Sequence, residues 1–264
     1  MTTGRRPHNR ALHLLSAAAV ALALAVAGCG GDDDPAQPGS GRATDDFDQA
    51  TAISQAQAAA PQAVALVQSM TSLAAGFTKD GEKAYAWNAE TGRWEYDYYY
   101  EAGGTTYDWF YTVQYLGAGG QPQQSPLGAV SVAHDMSGIG SYHYAGEGVV
   151  FDYDYVYEYA TTIAGLGTGT LVMTGGGGQD IDYTYESTQG DYAYTFAVDW
   201  EILAPGIGIT GGGCPTGTIR YDYAPFYALV EFDGTGTATS TLYDARGDVV
   251  PGGGGSHPLS CATH

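Results

Sequence analysis

Aromatic and acidic residues alternate along FDYDYVYEYA: Phe151, Tyr153, Tyr155, Tyr157 and Tyr159 share one parity, and Asp152, Asp154 and Glu158 take the other. Successive side chains of a strand point to opposite faces, so this stretch predicts a β-strand with one aromatic and one acidic face. The same period of two returns in WEYDYYYE (Trp94, Tyr96, Tyr98, Tyr100) and in TYDWFYTVQY (Tyr107, Trp109, Tyr111, Val113, Tyr115). It continues through SYHYAG, DIDYTYES, DYAYTFAVDWEI and TIRYDY. Gly103-Gly104 between the first two runs is a two-residue hairpin signal, and ALVEFDGTGTATSTLY reads as a hairpin turning on Gly234-Thr235-Gly236. About ten such runs with mostly short connections predict an antiparallel sheet.

Ahead of the strands, residues 45–76 follow a helical period. Asp46 with Gln49 is an N-cap signal, and Phe47, Ala50, Ile53, Ala56 and Ala60 fall on one stripe. Pro61 is expected to break or kink this run and could open a second helix, where Val64, Val67, Met70, Leu73 and Ala74 make an apolar stripe. The expected fold is therefore mainly β: an antiparallel domain over residues 77–264 with an N-terminal helix or helix pair. Ten strands at about 4.8 Å make a sheet roughly 48 Å wide, whereas a helix covers only about 10–12 Å. The sheet must curl, fold into a sandwich or keep an open aromatic groove, and a curled half-barrel or barrel-like sheet is the expectation. LGAGGQPQQSPLG, LAPGIGITGGGCP and the tail GGGGSHPLSCATH read as loops, the first long enough for a lid.

Charge narrows the partners. The 264 residues carry 9 Lys+Arg against 29 Asp+Glu, which argues against nucleic acid and anionic membrane surfaces, both of which select basic patches. With 40 Gly, 22 Tyr and 14% charged residues, the composition fits turn-rich β structure rather than disorder.

The N-terminus has a basic start, MTTGRRPHNR, then the apolar run ALHLLSAAAVALALAVAG and Cys29, the arrangement of a secretory signal. Val26-Ala27-Gly28-Cys29 resembles a bacterial lipobox. The resemblance implies cleavage after residue 28 and a diacylglycerol and an N-terminal acyl chain on Cys29, which anchor the protein to a membrane of the bacterial envelope. Several acyl chains hold firmly where one holds marginally. The alternative is an uncleaved spanning helix, which has no use for a cysteine at that position. Arg5-Arg6 lacks the apolar residues that should follow a twin-arginine pair. Loss of residues 1–28 leaves 6 basic against 29 acidic residues, a charge of −23, so anchoring falls to the lipid. Residues 29–44 read as a tether, and Asp32-Asp33-Asp34 resembles the acidic run that directs some lipoproteins to the cell surface. The outer membrane, on its periplasmic face or at the surface, is the expected location. In an oxidising compartment Cys214 and Cys261 are expected to form a disulfide, with a pair of free thiols as the alternative.

Catalytic signatures are missing from the sequence: no HExxH, GxSxG or CxxC, and neither Lys79 nor Lys83 lies in a phosphate-binding loop. His134, His143, His257 and His264 are too scattered to suggest a metal site, and no cofactor is expected. His143 reads as a surface strand residue. GGGGQD, residues 175–180, matches the start of a calcium-binding nonapeptide but occurs once, and reads as a glycine-rich turn. Acids two apart on a strand are about 6.5–7 Å from one another, too wide for one ion's cage, so the acidic face is expected to be solvated.

The tyrosines carry the functional expectation. A buried hydroxyl needs a partner, so a wide tyrosine face suits a surface that is partly covered and partly wet. Trp94, Trp109, Tyr153, Tyr155 and Tyr157 are the candidate ligand-binding residues. Lipobox, tether, helix and a sheet with an aromatic inner face are similar in outline to the LolA/LolB lipoprotein carriers, and that resemblance implies a curled half-barrel holding acyl chains. The leading expectation is a non-enzymatic envelope lipoprotein binding an amphipathic lipid or glycan. The alternatives are a structural or protein-interaction lipoprotein without a small ligand and, last, a hydrolase with a dispersed site. A transmembrane barrel is disfavoured because tyrosine runs the length of the strands instead of forming girdles.

Overall fold

The computed structural model describes residues 49–74, 85–146, 148–188 and 190–261, with the backbone alone for residues 70–74 and 192. Expectations for the leader, tether, Cys29 and the Asp46 cap lie outside the described residues.

One helix precedes the sheet. Helix α1 (Gln49–Ala74) runs unbroken through Pro61, so a helix pair does not form. Proline in a helix interior costs about 3 kcal/mol, because it removes a backbone donor and crowds the preceding turn. Buried alanines on both sides of it, Ala52, Ala56 and Ala59 before and Ala63 after, seat the two halves on one surface and hold the helix together.

The strands are β1 (Ala86–Asn88), β2 (Arg93–Ala102), β3 (Thr105–Leu116), β4 (Pro122–Gln123), β5 (Ser131–Gly146), β6 (Val149–Ala164), β7 (Thr170–Ser187), β8 (Gly190–Thr210), β9 (Thr216–Tyr223), β10 (Phe226–Asp233), β11 (Thr237–Tyr243) and β12 (Val249–Pro258). They form one antiparallel sheet in chain order, with β4 pairing beside β3. The sheet is curled and not closed. Ten strands have seven residues or more, matching the expected count of about ten, but the alternating runs mark only β2, β3 and β5–β11; β12 comes from the tail, and β1 and β4 are too short to show a period. Both predicted glycine turns form: Gly103 and Gly104 take φ of 60° and 81°, conformations open to glycine at no steric cost, and Gly234–Gly236 joins β10 to β11.

Three predicted loops or turns are strand instead. Residues 175–180, the expected glycine turn, lie inside β7; residues 203–210 of LAPGIGIT continue β8; and residues 252–258 of the tail belong to β12. Glycine carries no side chain to mark a face, so period-two reading is blind to it, yet each stretch pairs with a neighbour that does alternate. Between Ile202 and Gly208 the register of β8 slips against both β7 and β9. The extra β8 residues form a bulge, which bends a strand and raises its twist.

Helix α1 packs on the end of the sheet made last, against β9, β10, β11 and β12. Its small side chains allow a close approach, and β12 answers with glycine: a Cβ on Gly255 would stand 3.9 Å from the Gln57 backbone. The Gln57 amide donates to the Gly252 carbonyl at 3.2 Å. Cys214 and Cys261 stand at disulfide-bonding distance with Cα atoms 4.9 Å apart, tying the segment after β12 to the start of β9.

Candidate functional site

The register assembles the tyrosine strips into one face. Tyr96, Tyr98 and Tyr100 of β2 lie opposite Tyr111, Trp109 and Tyr107 of β3. Farther along the sheet, Tyr142 opposes Tyr153, and Tyr153 opposes Tyr183, which opposes Tyr194. The face changes character along the strands. Val113, Val132, Ile163 and Met173 are buried at one end, whereas Tyr107, Tyr142, Tyr153 and Tyr183 are half-buried toward the hairpin tips. Across the sheet, Asp154, Glu158, Asp182 and Asp199 are exposed on the opposite face, so the aromatic and acidic parities separate as the sequence predicts.

Glycines let the rings meet. Trp109 and Tyr157 both oppose Gly138, and Tyr107 and Tyr155 both oppose Gly140. Tyr159 and Trp200 likewise flank Gly177. A Cβ on Gly138 would overlap the Trp109 indole, one on Gly140 the Tyr155 ring, and one on Gly177 would lie 2.6 Å from the Tyr159 Cβ. In each case a side chain in the middle strand would occupy the space the ring uses. The consequence is a continuous aromatic run: Tyr100 stacks on Tyr107 at 5.8 Å, Tyr107 reaches Trp109 at 5.4 Å and Tyr155 at 6.4 Å, and Tyr155 meets Tyr153 at 5.8 Å. This arrangement of aromatic, glycine, aromatic over three strands is invisible in the chain order, because its members are 15 or more residues apart.

Of the five residues expected to bind a ligand, four come together. Trp109, Tyr153, Tyr155 and Tyr157 share the face around Gly138 and Gly140, but Trp109 is only 6% exposed. Trp94 stands apart at the aliphatic end, edge-on to Trp87 at 5.7 Å, with its indole N–H donating to the Gln124 carbonyl at 2.9 Å.

The hydroxyls of Tyr111, Tyr153, Tyr155 and Tyr157 are held neutral. Burial pushes Tyr157 up to about 12 and raises Tyr111, Tyr153 and Tyr155 above the ordinary phenol range, with neighbouring tyrosines adding to the last three. The Tyr153 hydroxyl is buried and has no hydrogen-bond partner among the described residues. A buried orphan of this kind costs about 1–3 kcal/mol, so it gains from any oxygen brought to it.

His134, which the sequence leaves among scattered histidines, is buried beside Tyr159, with the phenol oxygen 3.1 Å from Nδ1. Its parity with Val132 and Met136 in SVAHDMS is the signal that places it on the inner face. Burial lowers His134 to about 4 against a partly offsetting Asp135, so the imidazole is neutral. His143 lies on the exposed face as expected, beside the Asp152 carboxylate. Among the described residues no group of three or more His, Cys, Asp or Glu is placed to hold a metal ion.

No protein-family model, no curated protein and no solved structure matches the chain. The functional reading therefore rests on the face itself: neutral hydroxyls on half-covered rings, suited to stacking and hydrogen bonding.

Proposed function

We propose that this protein is a lipid-anchored envelope protein, non-enzymatic, that binds an amphipathic ligand on the tyrosine face toward its hairpin tips. One observation carries the binding reading. The described helix packs on β9–β12, while Tyr100, Tyr107, Tyr142 and Tyr153 form half-exposed rings on the strands before them. Of the two ligand classes considered, a glycan fits better than an acyl chain. Acyl chains favour enclosed aliphatic pockets, whereas this face offers flat rings with a hydroxyl at each tip, and the Tyr153 hydroxyl has no partner among the described residues. The basic start, apolar run and Val26-Ala27-Gly28-Cys29 support the anchor and the envelope location.

A second reading, a structural or protein-interaction lipoprotein, is favoured by the burial of Trp109 beneath neighbouring rings. Native mass spectrometry and organic extraction of the Cys29→Ala chain, with titration of short neutral oligosaccharides, separate the two. The binding reading expects a co-purifying or titratable ligand, bound about tenfold more weakly after Tyr107→Ala. An empty, fully folded protein that takes up neither saccharide nor lipid would make the face core and favour the structural reading. Labelling by radioactive palmitate, lost on Cys29→Ala, tests the anchor separately.

A further inference from the structure

The acidic face carries an interruption. Phe110, Ile139 and Val156 are large apolar side chains at 38%, 55% and 47% exposure on positions whose neighbours are polar. They are contiguous: Ile139 lies directly opposite Val156, and Phe110 opposes Ser137, two residues before Ile139. Together with Asp108, Ser137 and Glu158 they line a shallow cleft of about 310 Å³. Strand alternation gives no reason for three exposed hydrophobes on a solvated face, and a local apolar patch with a polar border is the mark of an interaction site.

The border specifies the occupant. Asp97 lies opposite Phe110, Asp108 opposite Ile139 and Asp180 opposite Val156. Asp154 and Glu158 flank Val156 two residues away along β6, on the same face. All five are exposed, and among the described residues none of them enters an ion pair, although Arg93, Arg220 and Arg246 each pair with an aspartate elsewhere. An apolar floor ringed by uncompensated carboxylates complements side chains with apolar bodies next to cationic heads. Phosphate-rich partners are repelled by the same ring.

We propose that the Phe110–Ile139–Val156 cleft docks a basic amphipathic segment of a partner protein, in which aliphatic residues fill the floor and Lys or Arg reach the surrounding carboxylates. Its floor side chains share the acidic parity, opposite to that of Tyr107, Tyr153 and Tyr155, although Tyr157 also borders the cleft; the docked segment is a different occupant from the ligand proposed for the tyrosine face.

The probe is the peptide Lys-Leu-Lys-Leu-Lys-Leu, titrated against the full-length chain in detergent by calorimetry, with hexalysine and Glu-Leu-Glu-Leu-Glu-Leu as comparisons. The Lys-Leu peptide should bind best, and the Glu-Leu peptide should not bind. Affinity should fall about tenfold in Ile139→Ser/Val156→Ser, and by a similar factor in Asp108→Asn/Glu158→Gln. It should also weaken as salt rises from about 50 to about 500 mM. The serine variant removes the floor and the amide variant the charge, both at exposed positions, and circular dichroism checks that each remains folded. Hexalysine binding as tightly as the Lys-Leu peptide, or Lys-Leu binding that neither variant changes, overturns the proposal. So does a self-associated chain in sedimentation that Ile139→Ser returns to monomer, because the occupant is then a second copy.

Discussion

The Tyr155 ring lies where the Cβ of residue 140 would stand, so Gly140 is the seat of that ring. Tyr107 on the other side reaches Tyr155 across the same glycine, with ring centroids 6.4 Å apart. The aromatic face therefore depends on side chains left out as much as on rings put in.

Gly140→Ala forces the Tyr155 ring from its place, and overpacking of this kind costs about 1–3 kcal/mol. Gly138→Ala should act alike through Trp109. Urea unfolding gives the loss, and near-ultraviolet circular dichroism should change for Gly138→Ala as the indole moves. An unchanged midpoint in both variants would show that the rings are not held there.

Acid should cost stability through His134. Its folded value of about 4 lies below the ordinary 6.5, so the unfolded chain takes up the proton first as pH falls. The stabilising difference is intact above about 6.5, declines through the interval and is gone below about 4, a loss of roughly 3 kcal/mol. Carboxylate protonation relieves repulsion over the lower part of this range and opposes the trend. The measurement is therefore the difference between wild type and His134→Gln in denaturation midpoint at a series of pH values. That difference should vary between pH 6.5 and 4 and be flat above it.

Asp154 faces Asp182 directly across β6 and β7. Directly opposed like charges destabilise a sheet by about 0.2–1 kcal/mol. Asp154→Asn is expected to raise the melting temperature at low salt, and the gain should shrink as added salt screens the pair. Asp182 keeps a hydrogen bond from the Thr195 hydroxyl at 2.8 Å, which makes Asp154 the better position to neutralise.

Cys214 and Cys261 are 47 residues apart in the chain. In the chain-entropy treatment, a bond closing such a loop stabilises by about 4 kcal/mol. Reduction, or Cys261→Ser, should lower the urea midpoint accordingly. Equal midpoints with and without reductant would mean that the thiols are not joined in solution.

Reading the chain for alternation was enough where one face of a strand differs from the other. FDYDYVYEYA, WEYDYYYE and TYDWFYTVQY each become strands with the expected faces, and Gly103-Gly104 turns as its residues require. Glycine runs hide their strands. Residues 175–178 look like a turn because nothing in them alternates, and only the rings of Tyr159 and Trp200 on the flanking strands explain why they extend. Pro61 misled for a related reason: its local cost is real, but the alanines that offset it do so only against β9 to β12, which begin more than 150 residues farther along the chain. The candidate site was half legible. The parity of Tyr153, Tyr155 and Tyr157 is local and could be read, whereas the distance of Trp94 from them and the apolar cluster of Phe110, Ile139 and Val156 arise from register between strands.

Strands laid side by side in chain order let each hairpin zip onto the one before it, with few long loops to close. Helix α1 is the exception. It precedes every described strand, yet the surface that receives its alanines consists of β9 to β12, so its berth does not exist until those strands have paired. The element that precedes every described strand is thus the last that can dock, and completion of the sheet is registered on a helix synthesised before it.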